Sequence, residues 1–276
     1  MTDSTPPRLL LEHLDEVKYA LRSARHVFLV LDFDGTIAPI VQTPELAQLP
    51  EDTRSILNCL NGERFVTLAV VSGRALADVR RRVGIDLIYA GNHGLEIEGS
   101  GISFRYPGLV VTESILGTIA SGLAAALQSV EGVLIENKGS TLSIHVRRVD
   151  EAEVPLVCEA VESACLPFQG SVELHSGKKI FEVRPKVDWN KGKAVEWILR
   201  QLDIDGTLAI CIGDDKTDED MFRALPSSLS IKVGSEPTAA RYRVSDTNEV
   251  RIILHEMAAN LPPEVPQESD ASAGGR

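Results

Sequence analysis

Cysteine is scarce in this chain of 276 residues: Cys59, Cys158, Cys165 and Cys211, with no C-x-x-C pair among them. That scatter excludes a disulfide framework and a cysteine metal knuckle. The apolar context of each suggests buried free thiols in a reducing cytosol. Positive charge is short as well. Lys and Arg number 28 against 40 Asp and Glu, leaving a net charge of −12. A broad nucleic-acid surface is therefore not expected, and a phosphorylated ligand would need local positive groups and a cation. No apolar run reaches the ~18 residues of a membrane span, and the N-terminus lacks a charged-then-apolar leader. The expectation is a cytoplasmic protein with no membrane partner. What is present, 43% apolar and 25% charged residues, is the composition of a globular protein. The length fits one large domain or a core with an insert.

The most informative stretch is Leu29-Val30-Leu31-Asp32-Phe33-Asp34-Gly35-Thr36. His26 to Leu31 is apolar and β-forming, short enough for a strand buried on both faces. Two carboxylates at its end are costly to bury unless paired or bound to a metal. At the carboxyl end of a parallel strand they instead face the crevice where open α/β sheets bind ligands. A lone D-x-D is often just an acidic corner. D-x-D-G-T directly after a strand is more specific, and it resembles the first motif of haloacid-dehalogenase-type phosphohydrolases, whose first Asp is a nucleophile.

Around it the chain reads as β-α-β units. A helix is expected over 8–22, a Pro-rich loop over 39–50 and a helix over 52–61; a strand over 65–71 ends in Ser72-Gly73-Arg74. A helix over 75–83 carries Arg80, Arg81 and Arg82 on what reads as a solvated face, and a strand over 87–90 leads into a hairpin over 96–106. The rhythm then becomes helix-strand-strand, twice: 112–130, 133–138 and 141–148, then 151–164, 171–176 and 179–183. This marks 108–186 as an inserted α+β domain in a discontinuous α/β core of 1–107 and 187–261. The core resumes with a helix over 192–202, a strand over 208–212, a helix over 218–224, a strand over 229–233 and a helix over 250–258. Pro262 to Arg276 has no apolar pattern and is expected to be disordered. We expect a monomer.

Three strands end in polar clusters, Asp32/Asp34, Ser72 and Asp214/Asp215, which a parallel sheet brings to one edge. Ser72 alone reads equally well as a helix N-cap. The acids of Asp214-Asp215-Lys216-Thr217-Asp218-Glu219-Asp220 could serve a helix dipole, but their crowding calls for a divalent cation, and oxygen ligands suit Mg²⁺. Asp32, the Asp34 carbonyl and Asp214 are the candidate protein ligands. Asp32 would attack phosphorus. Asp34 would act as acid and base, a role that needs a raised pKa. Of two lysines able to balance the transition state, Lys191 at a helix mouth is a better candidate than Lys193, although alone it reads as a solvated helix start.

Taken in order, LDFDGT, VSGR, GNHGLE, ENKGSTLSIHVR, FEVRP, NKGKA and GDDKTDEDMF resemble the motif series of the trehalose-6-phosphate phosphatases over about 28–235. The resemblance implies a Rossmann-like core with a sugar-phosphatase cap. Its activity would be Mg²⁺-dependent hydrolysis of trehalose 6-phosphate to trehalose and inorganic phosphate through an aspartyl-phosphate, the last step of trehalose biosynthesis. By the same match Asp32 is the nucleophile, Asp34 the acid/base, and Ser72 and Lys191 bind phosphate, while Asp32, Asp34 and Asp214 hold the metal. Glu136, Lys138 and Glu182 would hold sugar hydroxyls, Arg147 would lie on the phosphate side, and Arg74, Asn92 and His93 would line the cleft. Read from the residues alone, Glu136 and Lys138 share a strand face that could equally be solvated and ion-paired. Val146 stands where the family often has an aromatic residue, and Ile37 replaces a usual Leu. Alternatives are another sugar phosphate (sucrose phosphate or a glycosyl-phosphoglycerate), a phosphomutase, or an inactive sugar-phosphate-binding module.

Overall fold

A computed structural model describes residues 6–177 and 179–261. It opens on a short strand, β1 (Arg8–Leu9), followed by a single 3₁₀ turn and α1 (Leu14–Ser23), where one helix over 8–22 was expected. β2 (His26–Leu31) is buried throughout. Val27, Leu29 and Leu31 face one apolar layer, and Phe28 and Val30 face the other. α2 (Glu51–Asn61), β3 (Val66–Val71), α3 (Leu76–Val83) and β4 (Ile88–Gly91) repeat the β-α-β unit, and β5 (Glu96–Gly99) and β6 (Ile102–Arg105) form an antiparallel hairpin. Arg80 and Arg81 on α3 are solvated as expected. Arg82 is not: it is 11% exposed, ion-pairs with Asp78 and donates to the Glu45 and Ala47 carbonyls.

The chain then leaves this sheet. α4 (Leu109–Ala126), β7 (Leu134–Asn137), β8 (Leu142–His145), α5 (Val154–Cys165), β9 (Val172–Gly177) and β10 (Ile180–Pro185) build an antiparallel sheet ordered β7-β8-β10-β9. Leu142, Ile144, Phe181 and Val183 pack against Leu116, Ile119 and Leu123 of α4 and Val157 and Val161 of α5. Strand alternation sends Ser143 and Glu182 to the opposite face. At 18 residues and mean hydropathy 1.6, α4 is long and apolar enough by length and composition for a bilayer, which qualifies the reading of the sequence; it nevertheless supplies this domain's core.

α6 (Lys191–Leu202) starts under an Asn190 side chain that accepts from the Lys193 amide at 2.9 Å. β11 (Thr207–Gly213), α7 (Glu219–Ala224), β12 (Leu229–Val233), β13 (Tyr242–Val244) and α8 (Thr247–Ala259) complete the core. The large sheet runs β1-β13-β12-β11-β2-β3-β4-β5-β6, parallel from β1 to β4. β2 therefore lies between β11 and β3, and the three polar strand ends are neighbours. β13 was not anticipated, being three residues long and held by β12 and β1. Of the cysteines only Cys165 and Cys211 are buried; Cys59 is exposed and Cys158 half-buried, and all four are free. The expected disordered tail lies outside the described residues.

Candidate active site

Asp32 follows β2 directly and is 5% exposed. Its amide donates to Ile212 O at 3.0 Å, tying the end of β2 to β11. Carboxylate oxygens of Asp32, Asp214 and Asp218 all lie within 4.8 Å of one another. Two glycines allow this approach. A Cβ on Gly35, whose φ is +77°, would stand 2.2 Å from Asp214 Oδ2, and one on Gly213 would stand 2.3 Å from Asp218 Cγ. Lys191 is 2% exposed and bridges two of the acids, 2.6 Å to Asp32 Oδ1 and 2.7 Å to Asp218 Oδ1. It is no solvated helix start.

Burial, opposed by Lys191 but reinforced by Asp218 and Asp214, pushes Asp32 well above the usual carboxylate range. Burial and then the neighbouring Asp218 push Asp214 up to about 7. Burial alone would lower Lys191; Asp218 and Asp32 outweigh it and hold the ammonium above its ordinary range. Burial leads the shifts of both acids, and a single ammonium does not balance three crowded carboxylates. With all three carboxylates ionised the cluster would carry two uncompensated negative charges on hard oxygens, a donor set that fits a divalent cation such as Mg²⁺.

Asp34 is placed differently. Its two oxygens take a bidentate pair from Arg74, Nε to Oδ2 and Nη2 to Oδ1, both at 2.7 Å. Arg74 is itself held by Asp78 at 2.9 Å and by Pro44 O at 3.1 Å. Ser72 is buried at the end of β3 and does not cap α3, whose N-cap is Ala75; its hydroxyl accepts from the Arg74 amide at 3.2 Å.

The polar face of the cap sheet turns to this edge. Glu136, Ser143, Glu182 and His175 form one row across four strands. Lys138 Nζ donates to Gly73 O in the core at 3.0 Å and lies 3.6 Å from Glu182. Glu182 also approaches His93 Nε2 at 3.4 Å and pairs with Arg184. Burial would raise Glu182, but His93, Lys138 and Arg184 hold it well below the usual range. Burial lowers His93 to about 4, and neither of its ring nitrogens has a hydrogen-bond partner. A cleft of about 240 Å³ runs between the domains, with His93, His175, Arg184, Lys191, Thr217 and Asp220 among its lining. Lys138 and Glu182 thus pair across to the core, whereas Glu136 pairs within the sheet with His145 at 3.0 Å and His175 with Glu173 at 2.8 Å.

Of two further expected site residues, one lies at another cleft and one is held by protein partners. Arg147 is exposed in the turn after β8 and lines a second cleft, about 430 Å³, with Pro44, His145 and Arg148. Asn92 lines the first cleft, as expected, but it is completely buried and its side-chain amide is engaged by Glu96, Lys138 O and Thr141.

The profile of the trehalose-phosphatase family matches residues 30–251. The chain belongs to that family. A trehalose 6-phosphate phosphatase of Zea mays is 33% identical over 261 residues, 87% of this chain and 72% of that protein. The crystal structure of a trehalose-6-phosphate phosphatase related protein is 28% identical, with a TM-score of 0.75 over 84% of this chain and 97% of the other. The C-terminal domain of the Candida albicans enzyme shares the fold at 23% identity, with a TM-score of 0.80 over 94% and 99%. This trehalose-phosphatase family member is a phosphatase with a haloacid-dehalogenase-like fold.

The sequence reading left two residues of the site unassigned. Asp218 is the third carboxylate; it was one acid among several in its run, and only a 3₁₀ turn over Lys216–Asp218 aims it at Lys191. Lys232, 2% exposed within the apolar strand β12, donates to the carbonyls of Asp214 and Asp215 and so holds their turn. A lysine in an otherwise apolar strand was the available signal.

Proposed function

We propose that this phosphatase hydrolyses trehalose 6-phosphate to trehalose and inorganic phosphate, through an aspartyl-phosphate on Asp32. The observation that carries the reading is the buried Asp32–Asp214–Asp218 cluster bridged by Lys191 and opening beneath a cap face rich in hydrogen-bonding groups. In the first step an Asp32 oxygen bonds to phosphorus and the bond from phosphorus to the sugar oxygen breaks. Asp34 delivers the proton that oxygen needs, then removes one from the water that cleaves the aspartyl-phosphate. Arg74 fixes the orientation of Asp34 through its bidentate pair. Lys191 holds the nucleophile and offsets charge building on the transferred group. Asp32, the Asp34 carbonyl and Asp214, with Asp218 beside them, would hold Mg²⁺, which would supply the positive charge that lets a carboxylate meet a phosphate. Glu136, Lys138 and Glu182 would take sugar hydroxyls.

Phosphate release from a panel of trehalose 6-phosphate, sucrose phosphate, glucosyl-phosphoglycerate and glucose 6-phosphate tests this. Turnover is expected to favour trehalose 6-phosphate, to vanish in EDTA and to return with Mg²⁺. Ca²⁺, with its looser and larger shell, is expected to inhibit. Preference for another sugar phosphate would overturn the substrate, and full activity after exhaustive chelation would overturn the metal.

A further inference from the structure

Asn92 and its neighbour His93 both adopt left-handed backbone, φ +49° and +59°, in a loop that is fully buried at Asn92. Such strain persists where surrounding contacts over-determine it. Around Asn92 those contacts cross between the domains. Its Nδ2 donates to Glu96 Oε2 at 2.7 Å within the core and to Lys138 O of the cap at 3.4 Å, while its Oδ1 accepts from the Thr141 hydroxyl at 2.8 Å. The Asn92 amide is held in turn by Arg74 O at 2.7 Å. Beside it, the buried Ser140 hydroxyl lies 3.1 Å from Glu96 of the core and 3.2 Å from Glu113 of α4. The cap turn Lys138–Thr141, closed by its own bond from Lys138 N to Thr141 O at 2.9 Å, is thereby seated on the core loop.

That turn carries Lys138, whose ammonium reaches the Gly73 carbonyl and the vicinity of Glu182. We infer that Asn92 is a positioning residue: with Thr141 and Glu96 it pins the cap turn to the core, and so sets Lys138 in the cleft, instead of contacting the sugar itself. The consequence for catalysis rests on the proposed function, because it needs a substrate that Lys138 holds. The pin itself does not.

Two variants test it. Thr141→Val keeps the shape and removes the hydroxyl; Asn92→Gly removes the side chain while easing the left-handed backbone. Hydrogen exchange on the substrate-free protein reads the pin directly. Exchange in peptides covering Lys138–Thr141 is expected to rise about tenfold in both variants, with β2 and β3 unchanged. Turnover of trehalose 6-phosphate should fall about tenfold in both. p-Nitrophenyl phosphate, which offers Lys138 no hydroxyl, should be turned over by Thr141→Val as by the wild type. Thr141→Ser, which keeps the hydroxyl, should restore exchange and kinetics. Adding Asn92→Gly to Lys138→Ala should cost trehalose 6-phosphate turnover nothing further.

A silent Thr141→Val beside a damaging Asn92→Gly would mean that Asn92 meets the substrate directly, and would overturn the inference. So would unchanged exchange at the turn, or equal losses on both substrates with exchange rising throughout the core. Wild-type protein inactive on trehalose 6-phosphate would overturn the proposed substrate alone, because the exchange measurement stands without it.

Discussion

At the residue scale, the proposed chemistry rests on charges held closer together than water would tolerate. Asp32 is the group with no substitute, since a carboxamide keeps its shape and loses its charge. Asp32→Asn is expected to lower turnover by about four orders of magnitude, the scale seen when one member of a catalytic unit is removed. Trapping with beryllium fluoride should fail in the same variant, whereas near-normal turnover would remove Asp32 from the mechanism. Gly35 is the second such residue, for a steric reason. Alanine there would carry a Cβ into the Asp214 carboxylate from a backbone at φ +77°. Gly35→Ala should therefore displace Asp214 and raise the Mg²⁺ concentration needed for half-maximal activity by at least about tenfold, because an L side chain at this φ adds ~1 kcal/mol of strain to the clash. An unchanged Mg²⁺ titration would show that Asp214 does not hold the cation.

At the scale of elements, β12 contributes more than a place in the sheet. Lys232 projects from it to the carbonyls of Asp214 and Asp215, so one strand holds the acidic turn that another strand, β11, leads into. Its ammonium also lies 3.8 Å from Glu219 at the start of α7. Lys232→Met retains the apolar stem and removes the donor, leaving buried carbonyls unpaired at a cost of about 1–3 kcal/mol. We expect a melting temperature lower by several degrees together with weaker Mg²⁺ binding by calorimetry. Loss of stability with unaltered metal affinity would restrict Lys232 to the fold.

At the scale of the whole molecule, the cap and the core share one cleft, and the proposed function assigns specificity to the cap. Glu136→Ala or Glu182→Ala is expected to cut trehalose 6-phosphate turnover about a hundredfold, since sites built for hydroxyls lose strongly when hydrogen bonds are removed. p-Nitrophenyl phosphate should separate the cap's role from the chemistry: equal losses on both substrates would place these glutamates in the fold or the reaction. The cleft also leaves a mark on stability. His93 has a folded pKa of about 4, below its ordinary value because burial disfavours the imidazolium. The unfolded chain takes up a proton between about pH 6.5 and 4 that the native state refuses, so stability is complete above that window and falls as pH drops through it. Between pH 7 and 5 the loss is about 2 kcal/mol, and His93→Gln should remove it from the denaturation profile. Identical pH profiles for wild type and variant would show that the ring titrates in the native state as it does in the unfolded chain.

The places where strands deliver chemistry were legible before any coordinates, because an apolar run ending in Asp32, Ser72 or Asp214 is a pattern local to the chain. So was the switch to helix-strand-strand, since periodicity records which face of each element is apolar. Other features depended on tertiary neighbours. Arg8–Leu9 extends as a strand only because β13 lies beside it, which overrides the helical spacing that begins there. Lys191 reads as an ordinary helix start until Asp32, 159 positions away, meets it in the folded chain. Arg74 and Asn92 are both cleft residues by motif, yet one clamps Asp34 and the other joins cap to core. The difference is physical: spacing along the chain determines which side chains share a face, whereas partners distant in sequence are decided by which strand ends become adjacent and by the direction the backbone gives each side chain there.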